Sequence, residues 1–205
     1  MDDDTMSSTT PVIFLAFANN LETHREYLQM LKREGNNINT KLWPHREKQL
    51  IDLHKVDNAS VKDVFQVFTE LFPDMINIFH YGGHADGGHL QLEGAAGGKE
   101  MAKADGLAAM LGQQQQLQLV FLNGCSSKGQ VDLLLASGVK AVIATATVID
   151  DTAAVEFAEQ FYSSLSKGAN VQRAFTEAKA LVETKYYGST NLNLKINEYT
   201  RSFTW

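Results

Sequence analysis

Apolar and polar positions alternate in blocks along the chain, and these blocks predict strands and helices in turn. Short apolar runs bounded by turn residues are typical of buried strands, whereas apolar residues three or four positions apart indicate amphipathic helices. The predicted strands are 11–18, 49–56, 75–81, 89–93, 117–123 and 139–149. The predicted helices begin at Asn19 or Asn20 and end at Gly35, begin at Ser60 and end before Pro73, and cover 103–112, 126–137, 150–168 and 170–183. The polar stretch 36–48 is interpreted as a loop.

Strands that alternate with helices predict an α/β fold. Parallel strands need crossover connections, and these place helices on both faces of a mainly parallel central sheet. We expect one such domain over 11–187, preceded by a disordered lead-in over 1–10. The tail at 188–205 is consistent with an edge strand and with a linker.

Composition removes several classes of function. The net charge of −6, with no basic stretch, argues against binding to nucleic acid or to an anionic membrane. No apolar run approaches the roughly 20 residues that a membrane-spanning helix requires. The one cysteine among 205 residues cannot form an internal disulfide, which favours a reducing, cytoplasmic location.

Two loops carry the candidate chemistry: HYGGHADGG after the third strand and NGCSS after the strand at 117–123. Ligands of open α/β sheets bind beyond the carboxyl ends of the strands, so neighbouring strands would bring His84 and Cys125 together. A free thiol has a pKa near 8.5. The histidine would accept its proton, and a helix starting near Ser126 would stabilise the thiolate.

The glycines of these loops fit the same interpretation. Gly124 would permit an unusual backbone angle, while Gly82 and Gly83 would let a substrate chain approach closely. The alternative is that Cys125 is a small buried hydrophobic residue and His84 a packing residue, and spacing alone leaves both open.

Metal and nucleotide sites are less consistent with the sequence. His80, His84 and His89 are separated by a glycine turn, and no carboxylate or cysteine pair completes a ligand set. Neither a dinucleotide-binding fingerprint nor a phosphate-binding loop is present, so we expect no metal and no cofactor.

Over 11–185 the chain resembles the CHAT family of caspase-like cysteine peptidases, which are related to separase. The motifs that carry the resemblance are HYGGHADGG, LNGCSS, GVKAVIATATVIDD and FYSSL. The resemblance implies a caspase-like three-layer sandwich and a cysteine endopeptidase acting on protein substrates. It places His84 and Cys125 as the catalytic dyad, and the backbone N–H groups of Ala85 and Cys125 as the oxyanion hole.

Two positions depart from the family pattern, and a third differs from the related metacaspases. Ala85 replaces a common glycine but keeps the backbone N–H, and Thr147 stands near the place of a tryptophan. Asn123 occupies the position where metacaspases carry a substrate-binding aspartate.

The resemblance also implies a substrate-reading aspartate, at Asp150 or Asp151 with a slight preference for the second. It would select a basic or polar residue before the scissile bond. Capping of a helix is an equally good explanation of an aspartate at this position.

Related domains suggest an effector of a bacterial signalling or defence system, switched on by a partner or by a fused sensor domain. The alternative is a latent or inactive caspase-like module that acts by protein interaction. Rapid, histidine-dependent labelling of Cys125 would separate the two.

Overall fold

Strands and helices alternate in the structure, a computed structural model that describes residues 10–19, 28, 30–94, 98–124, 127–145, 150–186 and 192–196. The strands are β1 (Val12–Ala18), β2 (Asp52–Asp57), β3 (Ile76–Gly83), β4 (His89–Glu93), β5 (Lys99–Lys103), β6 (Leu119–Asn123), β7 (Ala141–Thr145) and β8 (Leu192–Ile196). The α-helices are α1 (Leu31–Glu47), α2 (Val61–Gln66), α3 (Ala104–Gly112), α4 (Val131–Ala136), α5 (Asp151–Leu165) and α6 (Val171–Lys185).

The described strands form one main sheet and one hairpin. The main sheet has the order β2-β1-β3-β6-β7-β8, with β8 antiparallel to β7 and every other pair parallel. Strands β4 and β5 pair with each other in an antiparallel hairpin. The edge strand β8 lies beyond position 187, where the sequence predicts the end of the domain.

Side chains of β1 alternate between two hydrophobic layers, as the period of two in a strand requires. Ile13, Leu15 and Phe17 belong to the layer that also contains buried side chains of α1, α5 and α6. Val12, Phe14 and Ala16 belong to the opposite layer, with buried side chains of α2, α3 and α4. The three-layer sandwich predicted from the sequence is therefore confirmed.

The region after β1 differs from the prediction. Helix α1 passes through Gly35 and covers the stretch 36–47, which the sequence analysis interprets as a loop. A Cβ on Gly35 would lie 2.9 Å from Cε2 of Phe17, so glycine here lets the helix approach the sheet closely. Buried Ile38 and Leu42 continue the helical spacing, but polar neighbours hide it.

Other elements also differ from the expectation. The segment after Cys125 begins with a 3₁₀ turn at Ser127–Gln130, and the α-helix starts only at Val131. Strand β5 was not predicted because its sequence, KEMAK, is polar. The described residues do not include 1–9 of the lead-in expected over 1–10, 20–27 and 29 of the first predicted helix, or 146–149 at the end of the predicted strand. No helix among the described residues is long and apolar enough to cross a lipid bilayer.

A buried polar cluster joins α1 to the sheet below the ends of β3 and β6. Glu34 Oε1 lies 2.9 Å from Nε2 of His80 and accepts a hydrogen bond of 2.6 Å from Asn123 Nδ2. Nδ1 of His80 lies 3.3 Å from the hydroxyl of Tyr162. Burial, with the nearby Glu34 carboxylate adding to it, raises the pKa of Tyr162 well above its usual range. Because Glu34 Oε1 contacts both His80 on β3 and Asn123 on β6, one carboxylate oxygen connects two neighbouring strands.

We expect Glu34→Ala to lower the free energy of unfolding by about 3 kcal/mol, because it leaves two buried polar groups without their acceptor. The measurement is equilibrium unfolding in urea. Glu47→Ala, at the exposed end of α1, is the control and should change stability by about 0.5 kcal/mol or less. Equal stabilities of the two variants would contradict a structural role for the cluster.

Candidate active site

The pairing of β3 with β6 determines where the two predicted loops begin. These strands are parallel and in register from Ile78 opposite Leu119 to Gly82 opposite Asn123. Parallel neighbours end at the same edge of a sheet, so the segments that follow them leave side by side. His84 follows the first strand at this edge. Cys125 and Ser126, which follow the second, lie outside the described residues.

Gly124, the residue before Cys125, packs directly against the residues on either side of His84. A Cβ on Gly124 would lie 2.6 Å from the carbonyl oxygen of Gly83 and 3.0 Å from Cβ of Ala85. The sequence analysis expects an unusual backbone angle at Gly124, and this is wrong: the described glycines with positive φ are Gly138 and Gly168. Close backbone contact is what requires glycine here.

Contacts beyond Gly124 hold the same two loops together. The side-chain amide of Gln130 donates hydrogen bonds of 3.0 and 3.1 Å to the carbonyl oxygens of Asp86 and His89. Gly129 packs against Gly87, whose carbonyl oxygen would lie 2.4 Å from an added Cβ. Gly124, Gly129 and Gln130, which are described residues after β6, therefore all contact the histidine loop.

The histidine loop has a defined backbone geometry. Half-buried His84 precedes Ala85, which forms an isolated antiparallel bridge with Leu90. The bridging hydrogen bonds run from Asp86 N–H to His89 O and from Gln91 N–H to His84 O. Ala85 and Leu90 are thus a non-hydrogen-bonded pair, in which the residues on either side form the hydrogen bonds. The N–H of Ala85 therefore points away from β4.

The turn after Ala85 is closed by Asp86. Its carboxylate accepts hydrogen bonds from the backbone N–H groups of Gly88, at 2.8 Å, and His89, at 2.7 Å, and lies 3.0 Å from Nδ1 of His89. The Gly88 N–H is the main cause of the lowered pKa of Asp86, with the His89 side chain adding to it. These bonds stabilise the ionised carboxylate and, with it, the turn.

Three buried hydroxyl groups bind backbone carbonyls at the site. The Tyr81 hydroxyl lies 2.6 Å from the carbonyl oxygens of both His84 and Gln91. The Thr145 hydroxyl donates to the carbonyl oxygen of Gly124. Ser127 Oγ accepts a hydrogen bond of 3.0 Å from Thr145 N–H and donates one of 3.3 Å to Leu122 O.

Gly82 and Gly83 are required by the packing of the protein itself. A Cβ on Gly82 would lie 2.6 Å from Cδ1 of Phe17, and one on Gly83 would lie 2.6 Å from the carbonyl oxygen of Ala18. Atoms of the protein itself therefore occupy the space beside each glycine where a side chain would lie, and approach of a substrate to Gly82 stays a prediction. Substrate binding by the backbone of Gly83 stays a prediction.

The structure separates the roles of the two candidate aspartates. Asp150 caps α5 by accepting hydrogen bonds from the N–H groups of Thr152 and Ala153. Asp151 is half-buried and accepts a 3.2 Å hydrogen bond from Met30 N–H. Burial raises the pKa of Asp151, and the nearby Glu34 carboxylate adds to this, whereas electrostatic attraction to His84 opposes it. The charges of Asp151 and His84 are therefore near enough to interact.

Asn123 lies in the core below this edge, with 5% of its surface exposed. Its amide group donates to Glu34 Oε1 and to the carbonyl oxygen of Ala154. Its Oδ1 is buried without a hydrogen-bond partner among the described residues. Direct substrate binding by Asn123 stays a prediction, whereas its contact with the buried cluster is observed.

Two other expectations concern electrostatics and metals. The helix dipole proposed for Cys125 is not supplied as expected, because α4 starts at Val131 and has six residues. Within the described ranges, no group of three or more histidine, cysteine, aspartate or glutamate side chains is placed to hold a metal ion. His80 lies in the buried cluster, apart from the turn that contains His89.

The sequence analysis missed the groups that support the site from below. The hydrophobic pattern places Glu34 at the end of a predicted helix and gives no sign that its carboxylate is buried. The same pattern assigns Tyr81, Ser127 and Thr145 to strands or helices without indicating a role for their hydroxyl groups. A signal was available for Thr145, since a hydroxyl at the end of an apolar parallel strand needs a hydrogen-bond partner when buried.

Several solved structures of cysteine proteases are similar to this chain in fold, although their sequences are distant. A secreted C11 cysteine protease from Bacteroides thetaiotaomicron, solved with an irreversible peptide inhibitor, has a TM-score of 0.67 and 12% identity, and the match covers 91% of this chain and 66% of that one. Caspase-1 from Spodoptera frugiperda has a TM-score of 0.63 and 10% identity, with coverage of 91% and 86%. The Drosophila initiator caspase Dronc has a TM-score of 0.60 and 7% identity, with coverage of 92% and 80%. At these identities the likeness shows a shared caspase-like fold.

Comparison with family sequence profiles gives a closer assignment. A search of curated protein sequences finds no significant match. The profile of the CHAT domain, in contrast, matches residues 12–200, nearly the whole chain. That range runs from the first residue of β1 to beyond the last residue of β8 and includes both loops of the candidate site. The chain therefore belongs to the CHAT domain family.

Proposed function

We propose that the protein is a cysteine endopeptidase in which Cys125 is the nucleophile and His84 the general acid and base. The observation that carries this proposal is the packing of Gly124 against Gly83 and Ala85. The residue bonded to Cys125 thereby contacts both residues bonded to His84. A caspase-like fold and membership of the CHAT family support the same assignment.

The reaction would proceed in two stages. Sγ of Cys125 attacks the carbonyl carbon of the scissile peptide bond while His84 takes the thiol proton. His84 then gives this proton to the leaving amine, the C–N bond breaks and a thioester remains. Water attacks the thioester, its proton passes through His84 to the departing sulfur, and the carboxylic acid product leaves.

The negative charge on the carbonyl oxygen would be stabilised by the N–H groups of Ala85 and Cys125. The N–H of Ala85 points away from β4, and the nitrogen lies 3.5 Å from the position of a Cβ on Gly124. An N–H donor of this type contributes about 10²–10³ in rate in other enzymes.

We also propose that the domain is an effector of a bacterial signalling or defence system, located in the cytoplasm and activated by a partner or fused sensor. This part rests on the family resemblance. A latent or inactive interaction module is the alternative. It predicts that the labelling rate of the Cys125 thiol is the same with and without the His84 side chain.

Replacement of the proposed dyad tests the assignment. We expect Cys125→Ala to abolish hydrolysis of a fluorogenic peptide panel, and His84→Ala to lower the rate by about 10²–10⁴. Because the chain has one cysteine, mass spectrometry after iodoacetamide treatment reports on Cys125 alone. Labelling of wild type should be faster than that of His84→Ala at neutral pH. Equal labelling and undiminished hydrolysis would contradict the dyad.

The backbone contact that carries the proposal has its own test. We expect Gly124→Ala to lower kcat/KM at least about tenfold, because the new methyl group forces the two loops apart. Gly106→Ala is the matched control, since a Cβ at Gly106 in α3 meets no atom within 4 Å. Equal activity of Gly124→Ala and wild type would show that this contact does not set the catalytic geometry.

For specificity, we propose that Asp151 binds a basic side chain before the scissile bond. Asp151→Asn should lower kcat/KM for an arginine peptide roughly ten- to a hundredfold, with little change for the same peptide containing glutamine. Binding requires the carboxylate, and burial raises the pKa of Asp151. KM for the arginine peptide should therefore increase as the pH falls, beginning above the usual titration range of aspartate, and Asp151→Asn should remove this dependence.

Asp150→Asn distinguishes the two candidate aspartates, because asparagine also caps a helix. Loss of the arginine preference in this variant, with normal selectivity of Asp151→Asn, would assign the role to Asp150. Equal losses on the arginine and glutamine peptides would contradict a specificity role for Asp151.

A further inference from the structure

We propose that Tyr81 and Thr145 are positioning residues that orient the two backbone N–H groups of the oxyanion hole. This inference rests on the proposed peptidase function. It extends the hole from the two donors to the buried hydroxyl groups behind them, which contact neither substrate nor the reacting atoms.

The first step is the planarity of the peptide group. A carbonyl oxygen and the N–H of the next residue lie in one rigid plane and point in opposite directions. A group that fixes the carbonyl of residue i therefore fixes the direction of the N–H of residue i+1. For the proposed hole, the carbonyls to be fixed are those of His84 and Gly124.

Both of these carbonyls accept hydrogen bonds from buried hydroxyl groups. Tyr81 Oη lies 2.6 Å from both His84 O and Gln91 O, so its one proton is shared between these two carbonyls; His84 O also accepts a 2.9 Å hydrogen bond from the N–H of Gln91. Thr145 Oγ1 donates to Gly124 O from the end of β7. Tyr81 and Thr145 have no exposed surface, so water does not compete for these bonds.

The protonation of Tyr81 and the contacts of Thr145 agree with these roles. Burial raises the pKa of Tyr81 well above its usual range, so the hydroxyl keeps its proton at neutral pH and can act as a donor. The Thr145 hydroxyl lies 3.4 Å from Ser127 Oγ, and Ser127 Oγ also accepts the N–H of Thr145. Ser127 thus anchors the residue that holds Gly124.

The two supports come from different strands and converge on one place. Tyr81 belongs to β3 and acts on the loop of His84, whereas Thr145 belongs to β7 and acts on the loop of Cys125. The loops meet where Gly124 contacts Ala85. The hole would therefore be preorganised by the sheet, without depending on the substrate to align it.

The variants remove one hydroxyl each with little change in shape. Thr145→Val and Tyr81→Phe should lower kcat for peptide hydrolysis about 10- to 100-fold with KM nearly unchanged, because the hole acts mainly in the transition state. Thr145→Ser keeps the hydroxyl and should retain most of the activity. Thr176→Val is the control, since its hydroxyl also donates to a backbone carbonyl but lies on the exposed face of α6.

Two probes distinguish positioning of the hole from a general structural effect. Iodoacetamide alkylates a thiolate by displacement, which forms no oxyanion, so its rate at Cys125 should stay within about twofold of wild type. A peptide aldehyde forms a tetrahedral adduct that uses the hole, so its affinity should fall by about the same factor as kcat. The thermal unfolding midpoint of each variant is measured as well, to establish that the protein is folded under the assay conditions.

The outcomes separate this inference from the proposed function. Wild-type levels of hydrolysis and aldehyde affinity in Thr145→Val and Tyr81→Phe would overturn the inference and leave the dyad intact. Parallel losses of hydrolysis and iodoacetamide labelling would also overturn it, since they indicate a disturbed dyad. Wild-type protein that neither hydrolyses peptides nor binds the aldehyde would contradict the peptidase function itself.

Discussion

The register between β3 and β6 is the constraint on which the candidate site depends. Because side chains alternate along a strand, a shift of β6 by one residue relative to β3 would turn the side chains of β6, including Phe121, to the opposite layer and displace the two loops by about 3.3 Å. Glu34 opposes such a shift, since one oxygen binds both His80 on β3 and Asn123 on β6. The stability of the core and the alignment of the two loops therefore have a common physical cause.

Buried polar side chains near the site form hydrogen bonds that fix the strands and loops around it. A hydroxyl or carboxylate without a partner in the core costs free energy, and each of these groups avoids that cost by binding a neighbouring strand or loop. Glu34 acts below the strand ends, while Tyr81, Ser127 and Thr145 act at the ends themselves. The two loops are thus supported from two strands, β3 and β7, from helix α1 and from the 3₁₀ turn after β6, which suits a site that must hold N–H groups in a fixed direction.

The main strands and the layered α/β fold are predictable from the sequence, because apolar runs and glycine-rich turns are local signals. The pairing of the two loops is predicted only on the condition that their strands are neighbours, or from the family resemblance. Helix α1 was not predicted correctly, since the reason for Gly35 is the ring of Phe17, a tertiary contact. The same applies to Gly124, where the conformation is ordinary and the neighbouring backbone decides. Support by Thr145 depends on which strands are adjacent, and local patterns carry no information about that.

The direction of the outer strands has a consequence for neighbouring segments. Val12 begins β1, and Ile196, paired with Ala141, ends β8, so both positions lie at the amino-terminal edge of the parallel strands. His84 and Gly124 lie at the opposite edge, about one strand length away. A module attached next to Val12 or Ile196 would therefore be connected at the edge of the sheet opposite the candidate site. To affect the cleft, it would have to extend along the sheet to the other edge or change the packing of the helical layers. Contact at its own edge would not block the cleft.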